Sequence, residues 1–157
     1  MLNYNIELNV SNRSKKVVFF EKEMNEILQN FAKYFKISPK KTIILDVSFV
    51  SKNKIKQLNY LHRGKDCVTD ILSFGFDQKD LYQKLPMYFL GELVICWDKM
   101  LQQAKDFNHS IRREFCYLFT HGLVHLQGYD HEIEAEKIQM DAIVDKIFNP
   151  LKISREK

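Results

Sequence analysis

Apolar and polar residues alternate from Leu2 to Val10, with Ile6, Leu8 and Val10 set against Glu7 and Asn9. A period of two marks a strand with one buried face. Beyond the polar connection Ser11-Asn12-Arg13-Ser14 the period lengthens. From about Val17 to Phe35, apolar residues recur at Phe20, Met24, Ile27, Leu28, Phe31, Ala32 and Phe35, the stripe of a core-facing helix. Ser38-Pro39 interrupts it, and the β-branched run from Thr42 to Val50 predicts a well-buried strand. Ser51 is placed to cap a short helix carrying Ile55, Leu58 and Leu61, which runs out near His62-Arg63-Gly64. Alternation returns from Asp70 to Phe76, with Ile71, Ser73 and Gly75 on one face and Leu72, Phe74 and Phe76 on the other. A polar loop from Asp77 to Met87 leads to a further strand, Phe89 to Trp97, in which Gly91 signals a bulge or a close backbone approach.

Three helices follow. Asp98 caps the first, through Phe107. Ser110 caps the second, through Gln127, whose apolar set Phe115, Leu118, Phe119, Leu123, Val124 and Leu126 is broad enough to be largely buried. Asp130 caps the last, carried by Ile133, Ile138, Met140, Ile143, Val144 and Ile147 through Phe148, until Pro150 stops it. The order βαβαββααα predicts an α+β domain over residues 1–150: a four-stranded mixed sheet with about five helices, the second of the final three packed centrally on it. Residues 151–157 are expected to fray.

Composition narrows this little. A chain of 157 residues with 45% hydrophobic and 28% charged residues is sized and balanced for one globular domain. No stretch reaches the ~18 apolar residues of a membrane span, and Met1-Leu2-Asn3-Tyr4 does not open a signal peptide, so a cytoplasmic chain is expected. Cys67, Cys96 and Cys116 are odd in number and lack zinc-ribbon spacing, the usage of buried free thiols. A net charge of +4 permits a polyanionic partner without requiring one.

The candidate chemistry lies between Phe119 and His131, where three of the five histidines fall in the spacing His-x3-His-x5-His. On a helix His121 and His125 stand one turn apart on one face. Gly128 supplies the reversal that swings His131 back toward them. Three neutral imidazoles leave one position of a tetrahedral metal open, the layout of a catalytic zinc site; nickel, copper or iron suit the same ligands. The spacing resembles the metzincin metallopeptidase pattern, but Gly122 stands where those enzymes carry their glutamate base. Upstream, Arg63 and Lys65 flank Gly64. Such a loop can bind phosphate, although on this segment alone a solvated turn with an internal ion pair to Asp66 is the plainer reading.

HGLVHLQGYDH (121–131), RGKDCVTDILSF (63–74) and LGELVIC (90–96) together resemble the bacterial YbeY family of metal-dependent endoribonucleases, in order, from the Thr42 strand to Phe148. His62, Cys67-Val68 and Gly75 depart from the family's usual aromatic and prolines. The resemblance implies a cytoplasmic, single-strand-directed endoribonuclease in ribosomal RNA maturation, chiefly at the small-subunit 3′ end, and in ribosome quality control. Its implied partners are ribosomal RNA, the small subunit and assembly factors, with neither DNA nor a membrane. It implies one zinc per chain on His121, His125 and His131, a catalytic role for Arg63 beside His121, and substrate contacts from Arg63 and Lys65. Glu114, two helical turns before His121, would support the site or form a helix-face ion pair, and Asp130 would support the ligands. The chemistry is open between zinc-activated water and attack by the ribose 2′-OH. The competing class is a zinc-stabilised ribosome-assembly adaptor with little cleavage of its own.

Overall fold

A computed structural model describes residues 3–12, 20–75 and 84–154. The expected element order is present: β1 (Asn5–Asn12), α1 (Glu21–Tyr34), β2 (Thr42–Val50), α2 (Lys52–Arg63), β3 (Ile71–Gly75), β4 (Met87–Cys96), α3 (Trp97–Asp106), α4 (Ile111–Leu126) and α5 (Glu134–Phe148). A single 3-10 turn, Asn149–Leu151, follows. The sheet is four-stranded and mixed, in the order β1-β2-β4-β3. β1 and β4 run parallel to β2, and β3 runs antiparallel to β4. The expected starts of the first strand and first helix fall partly outside the described residues, as does Phe76.

The two faces of the sheet are covered unequally. The main core joins Met24, Ile27 and Phe31 of α1, Ile43, Leu45 and Val47 of β2, and Phe115, Phe119 and Leu123 of α4. On the other face α2 packs on Val50, Leu72, Val94 and Cys96 through Ile55 and Leu58, with Val68 of the following loop beside them. α4 is the hub of the helical layer, packing on α1, α3, α5, β3 and β4. That centrality follows from its sequence, since nine of its residues from Phe115 to Leu126 are buried.

Glycine permits the closest contacts. A Cβ on Gly122 of α4 would meet Ile71 Cδ1 at 2.7 Å and Leu93 Cδ2 at 3.0 Å, so the helix packs closely on β3 and β4 and a larger residue would have to displace those side-chain ends. Gly91 has φ +130° at a bulge where Leu90 is skipped between the pairs Ile44–Phe89 and Leu45–Gly91. A Cβ there would lie 2.3 Å from the Phe74 carbonyl oxygen. Both readings of Gly91 from the sequence therefore hold.

Several local expectations are corrected. The Ser51 and Ser110 hydroxyls do cap, accepting from the Lys54 and Arg113 N–H groups. Asp98 instead lies in the first turn of α3, because β4 passes into the helix at Cys96 with no side-chain cap. Asp130 is likewise not a cap: its Oδ1 accepts from the His131 N–H at 2.8 Å, and α5 starts after Ile133. Leu61 is 74% exposed, since successive three-residue steps from Ile55 drift off the buried face of α2. Ile133 and Ile138 are exposed too, and Phe148 takes their place in the core. Of the tail expected to fray, residues 155–157 lie outside the described residues; within 151–154, Ile153 is buried and its carbonyl accepts from Arg113 Nη1 at 2.8 Å. Cys96 and Cys116 are buried free thiols, whereas Cys67 is exposed.

Gly91→Ala should cost about 3 kcal/mol, from a positive φ and a backbone collision that neither partner can escape. Gly75→Ala is the control, because its Cβ would make only an ordinary 3.8 Å contact with the Leu126 carbonyl. Urea unfolding midpoints should separate the two; equal losses would contradict the close-approach reading.

Candidate metal centre

The last turn of α4 and the segment after it build the centre. Thr120, fully buried, satisfies its hydroxyl within the helix by donating from Oγ1 to the Cys116 carbonyl at 2.8 Å. His121 and His125 follow one turn apart on the flank beside the sheet-packing Gly122, their ring centroids 4.8 Å apart. The Gly128 N–H then donates to the His125 carbonyl, and Gly128 takes φ +95°, turning the chain back. Tyr129 packs its ring 6.0 Å from that of Phe35, anchoring the reversal on the core. His131 arrives with its ring 5.4 Å from His121 and 4.9 Å from His125.

One ligand atom from each of the three histidines lies within 4.8 Å of the others. Tetrahedral ligands at about 2.0–2.1 Å from zinc stand roughly 3.4 Å apart, so a closure of about 1.4 Å at most suffices. His125 Nδ1 lies 2.9 Å from the Tyr129 carbonyl oxygen, which can only accept. Nδ1 therefore carries the proton and Nε2 faces the other imidazoles with a free lone pair. Burial pulls His121 down to about 4, with the like charges of His125 and His131 adding to it. Burial lowers His125 as well, reinforced by His131 and more weakly by Arg63. His121 and His125 are thus held toward the neutral form, the form a metal needs. The donor set fits a divalent transition metal.

A cleft of about 380 Å³ opens over the three histidines. Its walls carry Arg63 and Lys65, the two cations that the local sequence alone could not tie to the metal, and Asp70 and Ser73. A second cleft of about 460 Å³ shares Arg63, Lys65 and His125 and continues past Asp130 and Glu132. Asn59 shapes the loop between them, donating from Nδ2 to the Cys67 carbonyl at 3.0 Å. The internal ion pair expected of Asp66 does not form; Asp66 turns to Lys56 at 3.9 Å. His62 sets its ring edge-on to Phe74 at 5.0 Å, filling an aromatic's place.

Glu114 is not among the groups lining the histidine cleft. Its carboxylate lies 3.5 Å from His109 Nδ1, in a separate cleft with Arg113, Tyr117 and Asp141. Burial pushes the Glu114 carboxyl up against the opposing pull of His109. The partner of Glu114 is thus His109, in the segment before α4, and not a member of the histidine cluster. Sequence reasoning missed Asp70, Ser73 and Asn59. Asp70 and Ser73 were legible as the residues around the start of β3, the strand α4 packs upon. The Ser73 hydroxyl, 3.4 Å from the Gly122 carbonyl, ties that strand to the histidine helix.

The fold and this ligand set define a class: α+β domains presenting three histidines, from a buried helix end and the reversal after it, to an open cationic cleft. The family model described as Endoribonuclease YbeY matches residues 7–152. A protein named Endoribonuclease YbeY from Mycoplasmopsis synoviae is 64% identical over 148 residues, covering 94% of each chain. Its namesake from Mycoplasma mobile is 39% identical over 150 residues, covering 96% of this chain and 97% of the relative. The chain belongs to the YbeY family. The solution structure of TM1509 from Thermotoga maritima, 24% identical, superposes with a TM-score of 0.55 over 93% of this chain and 92% of that one, the same fold.

Elemental analysis should find one divalent transition metal per chain, and His125→Ala should weaken its binding by about a hundredfold or more, beyond what loss of an outer partner costs. Full retention would sink the ligand assignment. The pH dependence has a definite sign. Above 6.5, the ordinary histidine value, neither the folded nor the unfolded state binds a proton at His121. Between 6.5 and about 4 only the unfolded chain takes it up, so metal-free protein loses stability as pH falls through that window. His121→Gln should flatten that slope in acid melts, and an unchanged slope would contradict it.

Proposed function

We propose that this chain is a zinc-dependent endoribonuclease directed at single-stranded RNA. The reading extends to maturation of small-subunit ribosomal RNA at its 3′ end and to ribosome quality control in the cytoplasm, with the small subunit and assembly factors as partners. The observation that carries it is the meeting of Arg63 and Lys65 with the three histidines in one open cleft. The names of the relatives support the same activity.

His121, His125 and His131 would hold the metal, and three imidazoles suit zinc best among available ions. When bound, the metal supplies Lewis acidity toward a phosphate oxygen and toward water. The chain's own groups supply the rest. Arg63 offers a planar fork that matches two phosphate oxygens at once, and Lys65 adds a point charge beside it. Both counter the negative charge that builds as a phosphodiester is attacked. The Tyr129 carbonyl holds His125 in one tautomer throughout. Asp70, whose Oδ1 accepts from Thr69 Oγ1 at 3.3 Å, is a carboxylate on the cleft wall within the same recess, placed to take or relay a proton. The open cleft favours catalysis over a purely structural zinc, which is usually closed by a fourth protein ligand.

Proteolysis is disfavoured on packing as well as chemistry. Residue 122 faces Ile71 and Leu93 rather than the cleft, so no side chain at that position could serve as a base over the metal. Gly122→Glu would force a carboxylate between helix and sheet and unfold the domain before it made a peptidase.

Single-turnover cleavage of single-stranded RNA by metal-loaded protein tests the reading. Arg63→Ala should keep metal and fold yet lose on the order of 3 kcal/mol of transition-state stabilisation, about a hundredfold in rate. Arg63→Lys should recover little, lacking the fork. Equal rates in wild type and Arg63→Ala would return the loop to a solvated turn.

A further inference from the structure

The loop that brings Arg63 and Lys65 to the cleft is the end of a helix whose outer surface has no role so far. From Ser51 to Lys65 the sequence SKNKIKQLNYLHRGK contains five cations and no carboxylate. The whole chain carries a net +4, so the remaining residues sum to −1 and the positive charge is concentrated on this one element. Composition along the whole chain conceals this.

The arrangement on α2 is also directional. Ile55 and Leu58 point to the sheet, and Asn59 is buried with its amide on the Cys67 carbonyl. Lys52, Lys56, Tyr60 and Arg63 follow one another at steps of four, four and three residues, which on a helix places all four within an arc of about 80°. Lys54 stands across the helix from them. Tyr60 is 62% exposed, a large aromatic ring lying between two cations with no ring partner among the described residues. Among the described residues Lys56 pairs with Asp66, at 3.9 Å between side chains 48% and 70% exposed, a pairing too weak and too solvated to withhold it. The line ends at Arg63, inside the clefts over the histidines. From Lys52 to Arg63 it covers about 16 Å of helix.

We propose that this flank of α2 is a binding track for single-stranded RNA outside the metal cleft, with Lys52 and Lys56 on successive phosphates and a base stacked on Tyr60. Alternating cations and an exposed aromatic in a row are what a flexible polyanion with flat bases recognises, and a stacking ring accepts any base. The track rests on the endoribonuclease reading and deepens it. RNA held there enters the cleft already aligned past Arg63, so the track acts on affinity for longer strands. A protein partner would instead need an apolar anchor flanked by a closed rim. The one large aliphatic side chain exposed on α2, Leu61, projects away from the line.

The test is single-turnover cleavage of single-stranded RNA of about 16 nucleotides, titrated with metal-loaded enzyme, so that half-saturating concentration and limiting rate are read separately. Tyr60→Ala should raise the half-saturating concentration by about tenfold, and Tyr60→Phe should restore it, since stacking needs the ring and not the hydroxyl. Lys52→Ala/Lys56→Ala should reduce the slope of log affinity against log salt by about 1.4, two contacts at about 0.7 each. Lys54→Ala/Lys105→Ala removes the same charge from other surfaces and should keep the wild-type slope. If both doubles lose slope equally, bulk charge explains binding and the track is overturned. If Tyr60→Ala and Lys52→Ala/Lys56→Ala match wild type at every salt concentration while RNA is still cleaved, the flank is a solvated surface and only the cleavage reading stands. Failure of wild type to cleave or bind single-stranded RNA would overturn that reading and the track with it.

Discussion

The structure depends on one geometric demand: three imidazoles must reach a common point, and only two of them can come from the same helix face. His121 and His125 meet that demand by helical spacing, but His131 needs the chain to reverse within the few residues after α4. The reversal is secured three times over, by the left-handed Gly128, by the Tyr129 carbonyl against His125 Nδ1, and by the Tyr129 ring against Phe35 of the segment after α1. The helix itself is immobilised by contact at Gly122 with β3 and β4. Loosen that contact and the ligands move with the helix. Fold and site are therefore one object: the sheet exists on this side to hold α4, and α4 ends in the site.

Electrostatics then assigns the site a kind of substrate. Burial favours the neutral form of His121 and His125, and a set of imidazoles carries no anion to offset the charge of a divalent metal. Arg63 and Lys65 add two more positive charges on the cleft wall, tempered by Asp70. Such a cleft favours a phosphodiester over a neutral amide, and the cations along α2 extend the same preference outward from the cleft.

Most of this architecture was legible in the sequence because it rests on short-range rules. Period-two runs gave β1 and β3, a β-branched run gave β2, the α1 and α4 stripes gave the core, and serine caps fixed the starts of α2 and α4. The histidine spacing, with its glycine, gave the ligand set. What escaped was decided by contacts between elements distant in sequence. Asp98 and Asp130 had the chemistry of caps, but continuous passage from β4 into α3, and the hydrogen bond from His131, took those positions instead. Ile133 and Ile138 matched a helical pattern whose buried arc was set by α4, not by α5 alone. Arg63 and Lys65 looked like a turn because nothing within ten residues reveals that β3 folds them back over α4. The family resemblance supplied that placement, and the cleft lining agrees with it.

The central claim is that the three-histidine centre drives cleavage of single-stranded RNA. The direct measurement is cleavage of a small-subunit precursor RNA by purified protein as isolated, after exhaustive chelation, and after restoring one equivalent of zinc. Loss on chelation and recovery with zinc are expected, the product ends distinguishing attack by water (a 5′-phosphate) from attack by the ribose 2′-OH (a 2′,3′-cyclic phosphate). Cleavage undiminished by chelation, in protein shown to be free of metal, would contradict the account.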